Sequence, residues 1–169
     1  MAAGLMILRI APLLASTACV TYTGAEDLYL RPFGNFRPDL RAEANRIIPE
    51  YKDRWFPPSL AVILTFYPLA ICTAIANVLV KGNLEVLGGP GVDQQFANCF
   101  YLAGALFSAL HFAFGPRDLA ILKRMNEKEK DNGKAMADWV RMNLVRGMIA
   151  EFPSWLCFFA GFIAATMGW

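Results

Sequence analysis

The chain has 169 residues, a formal net charge of +2, 56 % hydrophobic residues and only 18 % charged ones. That is more apolar surface than the core of one compact domain uses, so the excess is expected to meet lipid. The near balance of bases and acids excludes the concentrated positive surface that nucleic acid requires, and four cysteines lying singly in separate apolar stretches, Cys19, Cys72, Cys99 and Cys157, exclude a disulfide framework or a closely spaced metal motif.

A membrane helix needs about 20 mainly apolar residues to cross a hydrocarbon layer of ~30 Å. The first uncharged stretch, Ile10 to Ala25, has only 16 residues. It reaches spanning length as 4–25 if Arg9 faces other helices or reaches toward a headgroup. The competing reading is a cleaved secretory signal, with Arg9 as its basic region and Ser16 to Ala18 as the small residues before cleavage; the apolar run continues through Tyr22 without the polar break such a signal carries.

Residues 26–57 form a charged segment. It opens on Glu26 and Asp27, and its RAEANRIIPEYKDRW stretch has amphipathic spacing, with Ala42, Ile47 and Ile48 turned inward before Pro49 interrupts. The second span, 58–80, is uncharged over 23 residues. LGGPGV then reads as a turn, without the strand, Lys and Ser or Thr of a phosphate-binding loop. The third span, 94–116, is again uncharged over 23 residues. Residues 117–149 form the second charged segment: KRMNEKEKDNGK reads as an exposed loop, Asn132-Gly133 as a turn, and helical spacing resumes near Ala135 toward a fourth span over 150–169. The fold expected is all-α, a single domain built as a four-transmembrane-helix bundle.

Lys and Arg set the orientation. Six lie between Arg31 and Arg54 and eight between Arg117 and Arg146, against one before the first span and one, Lys81, between the second and third. The positive-inside rule places both charged segments in the cytoplasm and both termini in the lumen or outside, in the endoplasmic reticulum or another endomembrane. Oligomeric state is not encoded in any pattern of this kind.

Ionisable groups at membrane depth are costly and stand out as functional candidates. His111 is the only histidine, and its near-neutral titration suits a general base; the alternative is an interfacial histidine with one helix-to-helix hydrogen bond. Trp139, Asn143 and Arg146 recur at i, i+4 and i+7 along one helix stripe, where an indole, an amide and a guanidinium suit a planar ligand and an anion forming on its oxygen; alternatively Trp139 is an interfacial anchor and Arg146 pairs with Glu151 or a lipid phosphate. Glu26 and Asp27 can share a proton or hold Arg9 or Arg146, or simply end the span in water. Asn77 and Asn98 read as helix bridges, and Gly104, Gly115 and Gly161 as points of close backbone approach. One histidine and scattered cysteines supply neither paired haem ligands nor a histidine-rich metal centre, so no metal is expected.

Three stretches, IIPEYKDRWFPP, FYLAGALFSALHFAFGP and ADWVRMNLVRGMIAEFPSWLCFF, with their W-x3-N-x2-R signature at Trp139, Asn143 and Arg146, resemble the anthrone-oxygenase-like family of small four-helix membrane proteins found in fungal natural-product gene clusters. The resemblance implies oxidation of a lipophilic anthrone-like substrate by molecular oxygen with no bound cofactor. It makes His111 the base, Arg146 and Asn143 the oxyanion partners and Trp139 a wall of the substrate slot, with Glu26 and Asp27 beside it. The chain departs from the family in the charged insert from Arg31 to Arg54. Two rivals remain at this stage: a proton-transfer isomerase or cyclase using the same base, and a non-enzymatic membrane scaffold whose polar groups only join helices.

Overall fold

The computed structural model describes residues 2–34, 37–80, 94–127 and 131–167, and every regular element among them is helical. Helix α1 runs Ala2–Gly34, a 3-10 turn Pro38–Leu40 follows, and α2 runs Arg41–Leu79. Helix α3 (Gln94–Leu110) passes through a 3-10 turn, His111–Phe114, into α4 (Gly115–Arg124), making one rod from Gln94 to Arg124. Helix α5 (Asn132–Arg146) passes through a π-helical turn, Gly147–Glu151, into α6 (Phe152–Met167), the fourth rod. All four rods are long and apolar enough to cross a membrane. The LGGPGV turn and Lys81 lie outside the described residues.

The rods form an up-down-up-down bundle in which each packs against its neighbours in sequence and the first closes on the fourth. Polar ties fix that order. Arg9, 3 % exposed, donates to the Ala165 carbonyl, and the Tyr101 hydroxyl donates to the Arg9 carbonyl at 2.9 Å. Arg9 therefore faces other helices. Gly104 leaves room for the Phe158 ring, which lies 2.5 Å from where a Cβ would stand, and one turn away Ser154 donates to the Gly104 carbonyl at 2.9 Å while sharing a 2.7 Å hydrogen bond with Ser108. Gly161 makes a similar approach to Phe100, but Gly115 has open space around it, so it permits no contact. Asn98 bonds Gln94 of its own helix and does not bridge.

Pro49 does not interrupt α2, which runs on through Pro49, Pro57, Pro58 and Pro68. A proline inside a helix leaves the carbonyl four residues earlier without its donor. For Pro49 that carbonyl is Asn45, and Asn132 supplies the missing donor through its side chain at 2.8 Å. For Pro12, inside α1, it is Leu8, and Asn77 donates to it at 2.7 Å. Two asparagines thus repair two prolines across helix boundaries. Asn132 does not sit in a turn: Asp131 caps α5, accepting from the Lys134 N–H at 3.0 Å, and the helix starts at Asn132 instead of near Ala135.

Two apolar cores stack along the bundle. One is rich in alanine: Ala15, Ala70, Ala74, Ala97, Ala105, Ala164 and Ala165 surround Tyr101 and Phe158. The other lies among the charged segments and is made of larger groups, including Leu30, Ile48, Ile121, Met125, Met136 and Trp139. Between them lies a layer of buried polar side chains.

Candidate functional site

Four rods contribute to this polar layer. The π-helical turn is what brings two of its members together from one rod. Pro153 has no N–H to give to Ile149, the ladder widens over Gly147–Glu151, and Arg146 and Glu151, five apart, both turn inward. Arg146 Nε donates to Glu151 Oε1 at 3.2 Å, Nη1 to Asp118 Oδ2 at 2.6 Å and Nη2 to Asn143 Oδ1 at 2.5 Å, while Glu26 Oε2 stands 3.9 Å from Nη2. Three of the five guanidinium N–H groups are thereby engaged.

His111 belongs to the 3-10 turn that joins α3 to α4. Its Nδ1 lies 3.2 Å from Glu151 Oε1, and its ring lies against Tyr67 of α2 with centroids 3.8 Å apart. The other Glu151 oxygen accepts from the Thr23 hydroxyl of α1, and Asn143 donates to the Thr23 carbonyl at 3.1 Å. Glu151 is thus the hub, bound by groups from the first, third and fourth rods. His111, Arg146 and Glu151 are all buried, at 5 %, 2 % and 3 % exposure.

The charge balance is unequal. Glu26, Asp118 and Glu151 bring three carboxyl groups to one guanidinium and one imidazole. Buried charge of one sign is costly without compensation, and a layer with more carboxyl groups than cations has room for protons, which is what acid–base chemistry needs. Both oxygens of Glu26 and Oδ1 of Asp118 are buried with no hydrogen-bond partner.

Of the residues singled out from the sequence, His111, Asn143, Arg146 and Glu26 come together here. Asp27 does not: it turns away from Glu26 and pairs with Arg31 on its own helix. Trp139 splits from its stripe. It is buried at 3 % exposure in the larger-residue core, edge-on to Trp55 at 5.3 Å, and so is not an exposed interfacial anchor. Sequence reasoning passed over Glu151 as a catalytic candidate, and Asp118, Thr23 and Tyr67 altogether. Glu151 entered only as an alternative partner of Arg146, a pairing the structure shows, and Asp118 sits at the edge of an uncharged stretch, where a charge reads as meeting water; the signal available was the spacing of Glu151 two residues before Pro153. Among the described residues no group of three His, Cys, Asp or Glu is arranged to hold a metal ion.

Beside this layer, α1 and the fourth rod leave a recess of about 210 Å³. Thr23, Asn143 and Glu151 reach it from the polar side, and Val20, Leu144, Met148 and Phe152 line it with hydrocarbon.

No family model matches the chain, and no solved structure matches it. Three fungal proteins are similar to it over nearly its whole length. The probable epoxidase scpX of Mollisia scopiformis is 29 % identical over 168 residues, covering 98 % of this chain and 99 % of that protein. The epoxidase pydX of an Acremonium species is 28 % identical, covering 91 % of each, and the epoxidase gkaX of Penicillium citrinum is 26 % identical, covering 95 % of this chain and 96 % of that protein. All three carry an epoxidase name, and none of the three an anthrone-oxygenase name.

Proposed function

We propose that the chain is a membrane-embedded oxygenase of secondary metabolism that adds one oxygen atom across a carbon–carbon double bond of an apolar substrate. The observation that carries this reading is the His111–Glu151–Arg146 layer, buried where four apolar rods meet. Costly polar groups held at such a place are functional by default, and the similarity to proteins named epoxidases supplies the reaction class.

In this reading His111 and Glu151 move the protons. Alkene epoxidation by molecular oxygen places one oxygen atom in the product and reduces the other to water, drawing two protons and two electrons; the electrons come from a two-electron donor such as a reduced nicotinamide or flavin, or a peroxide replaces both oxygen and donor. Arg146 holds the carboxylates in register, and its fixed positive charge favours negative charge developing on a nearby oxygen. Tyr67 covers one face of the imidazole.

Anthrone oxidation remains the neighbouring chemistry. It differs in that the anthrone supplies all the electrons: its CH2 becomes C=O and dioxygen ends as product oxygen and water. The test is product mass and isotope content from membranes containing the protein, under 18O2, with an apolar alkene plus reduced nicotinamide, with the alkene plus peroxide, and with emodin anthrone. One 18O in an alkene product supports epoxidation by dioxygen. A gain of one oxygen from peroxide supports the peroxide route, and turnover of the anthrone alone favours that substrate. A product of unchanged mass points to an isomerase, and no product above empty membranes returns the chain to the scaffold reading.

A further inference from the structure

The recess between α1 and the fourth rod is open on the side opposite the polar layer. Its outer wall is made of Leu144, Met148 and Phe152, which are 53 %, 61 % and 43 % exposed on the bundle surface. In the membrane arrangement proposed above, that surface is bathed in lipid. Asp27 and its partner Arg31 mark one end of the recess, at the start of the charged segment, and Val20 lies two helical turns away within the apolar stretch. The opening therefore lies just beneath the headgroup layer, on the side of the charged segments.

Two glycines shape it. A side chain added at Gly24 would meet nothing within 4 Å, whereas one at Gly147 would come within 3.2 Å of the Thr23 methyl and 4.0 Å of Glu151 Oε2. Gly147 thus keeps the passage to Glu151 open, and the mouth at Gly24 has room to spare, so that only a bulky side chain there would close it. At about 210 Å³ the recess is smaller than the ~300–1,000 Å³ that encloses a whole drug-sized ligand. It takes one end of a molecule while the remainder stays outside.

Resting on the functional reading above, we propose that this recess is the lateral entry and reaction pocket: the substrate is a lipid-dissolved molecule that inserts its slim unsaturated end between α1 and the fourth rod, past Gly24 at the mouth. The polar atoms at its inner end come from Thr23, Asn143 and Glu151, so a double bond placed there lies by Glu151, one hydrogen bond away from His111.

The test uses the full chain in nanodiscs and a long 1-alkene carrying a diazirine near its unsaturated end. After illumination, labelled peptides are mapped in the wild type, Gly24→Ala, Gly24→Trp and Leu106→Trp. Leu106, 73 % exposed on α3, serves as a distant site of equal bulk. Label is expected in 20–27 and 143–152 of the wild type, retained in Gly24→Ala and Leu106→Trp and reduced about ten-fold in Gly24→Trp, the change that ~1.4 kcal/mol of lost binding gives. Labelling spread evenly over all outward faces, or unchanged in Gly24→Trp, overturns the proposal. Labelling is read without turnover, so a wild type that labels in the recess but makes no oxygenated product rejects the epoxidase reading and leaves the pocket standing. A wild type that epoxidises while Gly24→Trp labels normally rejects the pocket alone.

Discussion

Replacing Arg146 by Met would leave Glu26, Asp118 and Glu151 facing one another with no fixed positive charge among them. Removing one partner of a buried ion pair costs about 3–5 kcal/mol, and the loss is read as a lowered melting temperature in detergent. Adding Asp118→Asn and Glu26→Gln to Arg146→Met should recover much of that loss, because the surplus carboxylates go with the cation; no recovery would mean that Arg146 acts through packing and not through charge. His111→Ala should lower turnover by about 10²–10⁴-fold with little change in substrate binding, as loss of an acid–base group does. Glu151→Gln keeps the shape and should lower turnover in the same direction, since Glu151 orients His111 through a single oxygen at 3.2 Å. His111 and Arg146 were legible as candidates because a lone histidine and an arginine stand out in an apolar chain. The pairing of Arg146 with Glu151 was legible as the alternative to a site role and is what the structure shows; that His111 shares the same carboxylate was not, because Glu151 turns inward only through the widened turn after Arg146, and a helix of ordinary pitch puts residues five apart on different faces.

The helices hold together through small residues and repaired prolines. Gly104→Ala places a methyl 2.5 Å from the fully buried Phe158 ring, so about 1–3 kcal/mol of stability should be lost, read by thermal unfolding against Gly115→Ala, whose Cβ meets open space. Asn77→Leu removes the donor that serves the Leu8 carbonyl. Interhelical hydrogen bonds of this kind average ~0.6 kcal/mol, so a small drop is expected, and it should vanish if Pro12→Ala restores the donor within the helix. The spacing of the sequence marked the apolar stretches well but ended α2 at Pro49, because proline read alone is a helix breaker. What keeps α2 continuous is Asn132, distant in the chain, and no local pattern announces that pairing.

Viewed entire, the rods are longer than a bilayer is thick. Helix α2, with 39 residues, extends about 58 Å at 1.5 Å per residue, nearly twice the ~30 Å of hydrocarbon. The four-helix architecture was legible from charge-free stretches alone, and so was the helical approach to the fourth span from near Ala135; the unbroken run of α2 through Pro49 and of the third rod on to Arg124 was not, since proline and the KRMNEKEKDNGK charges read as breaks. Orientation is open to a direct check: Arg37→Cys and Lys123→Cys, both on exposed positions of the charged segments, should react with a membrane-impermeant maleimide from the same side of sealed vesicles. Reaction from opposite sides would refute the shared location of those segments.

The stacking of two unlike cores also means that the two ends of the bundle answer to different solvents. In the membrane arrangement proposed above, the end built on Leu30, Ile48, Met125 and Met136 gains from the exclusion of water, which urea weakens, while the alanine-lined end rests on close contact among helices in hydrocarbon, which urea scarcely touches. Titrating urea into the protein in a mild detergent should therefore unravel it in two stages, with hydrogen exchange rising first in residues 41–52 and 132–142. The turnover proposed for the polar layer at the seam should disappear with the first stage while most of the helical signal is still intact.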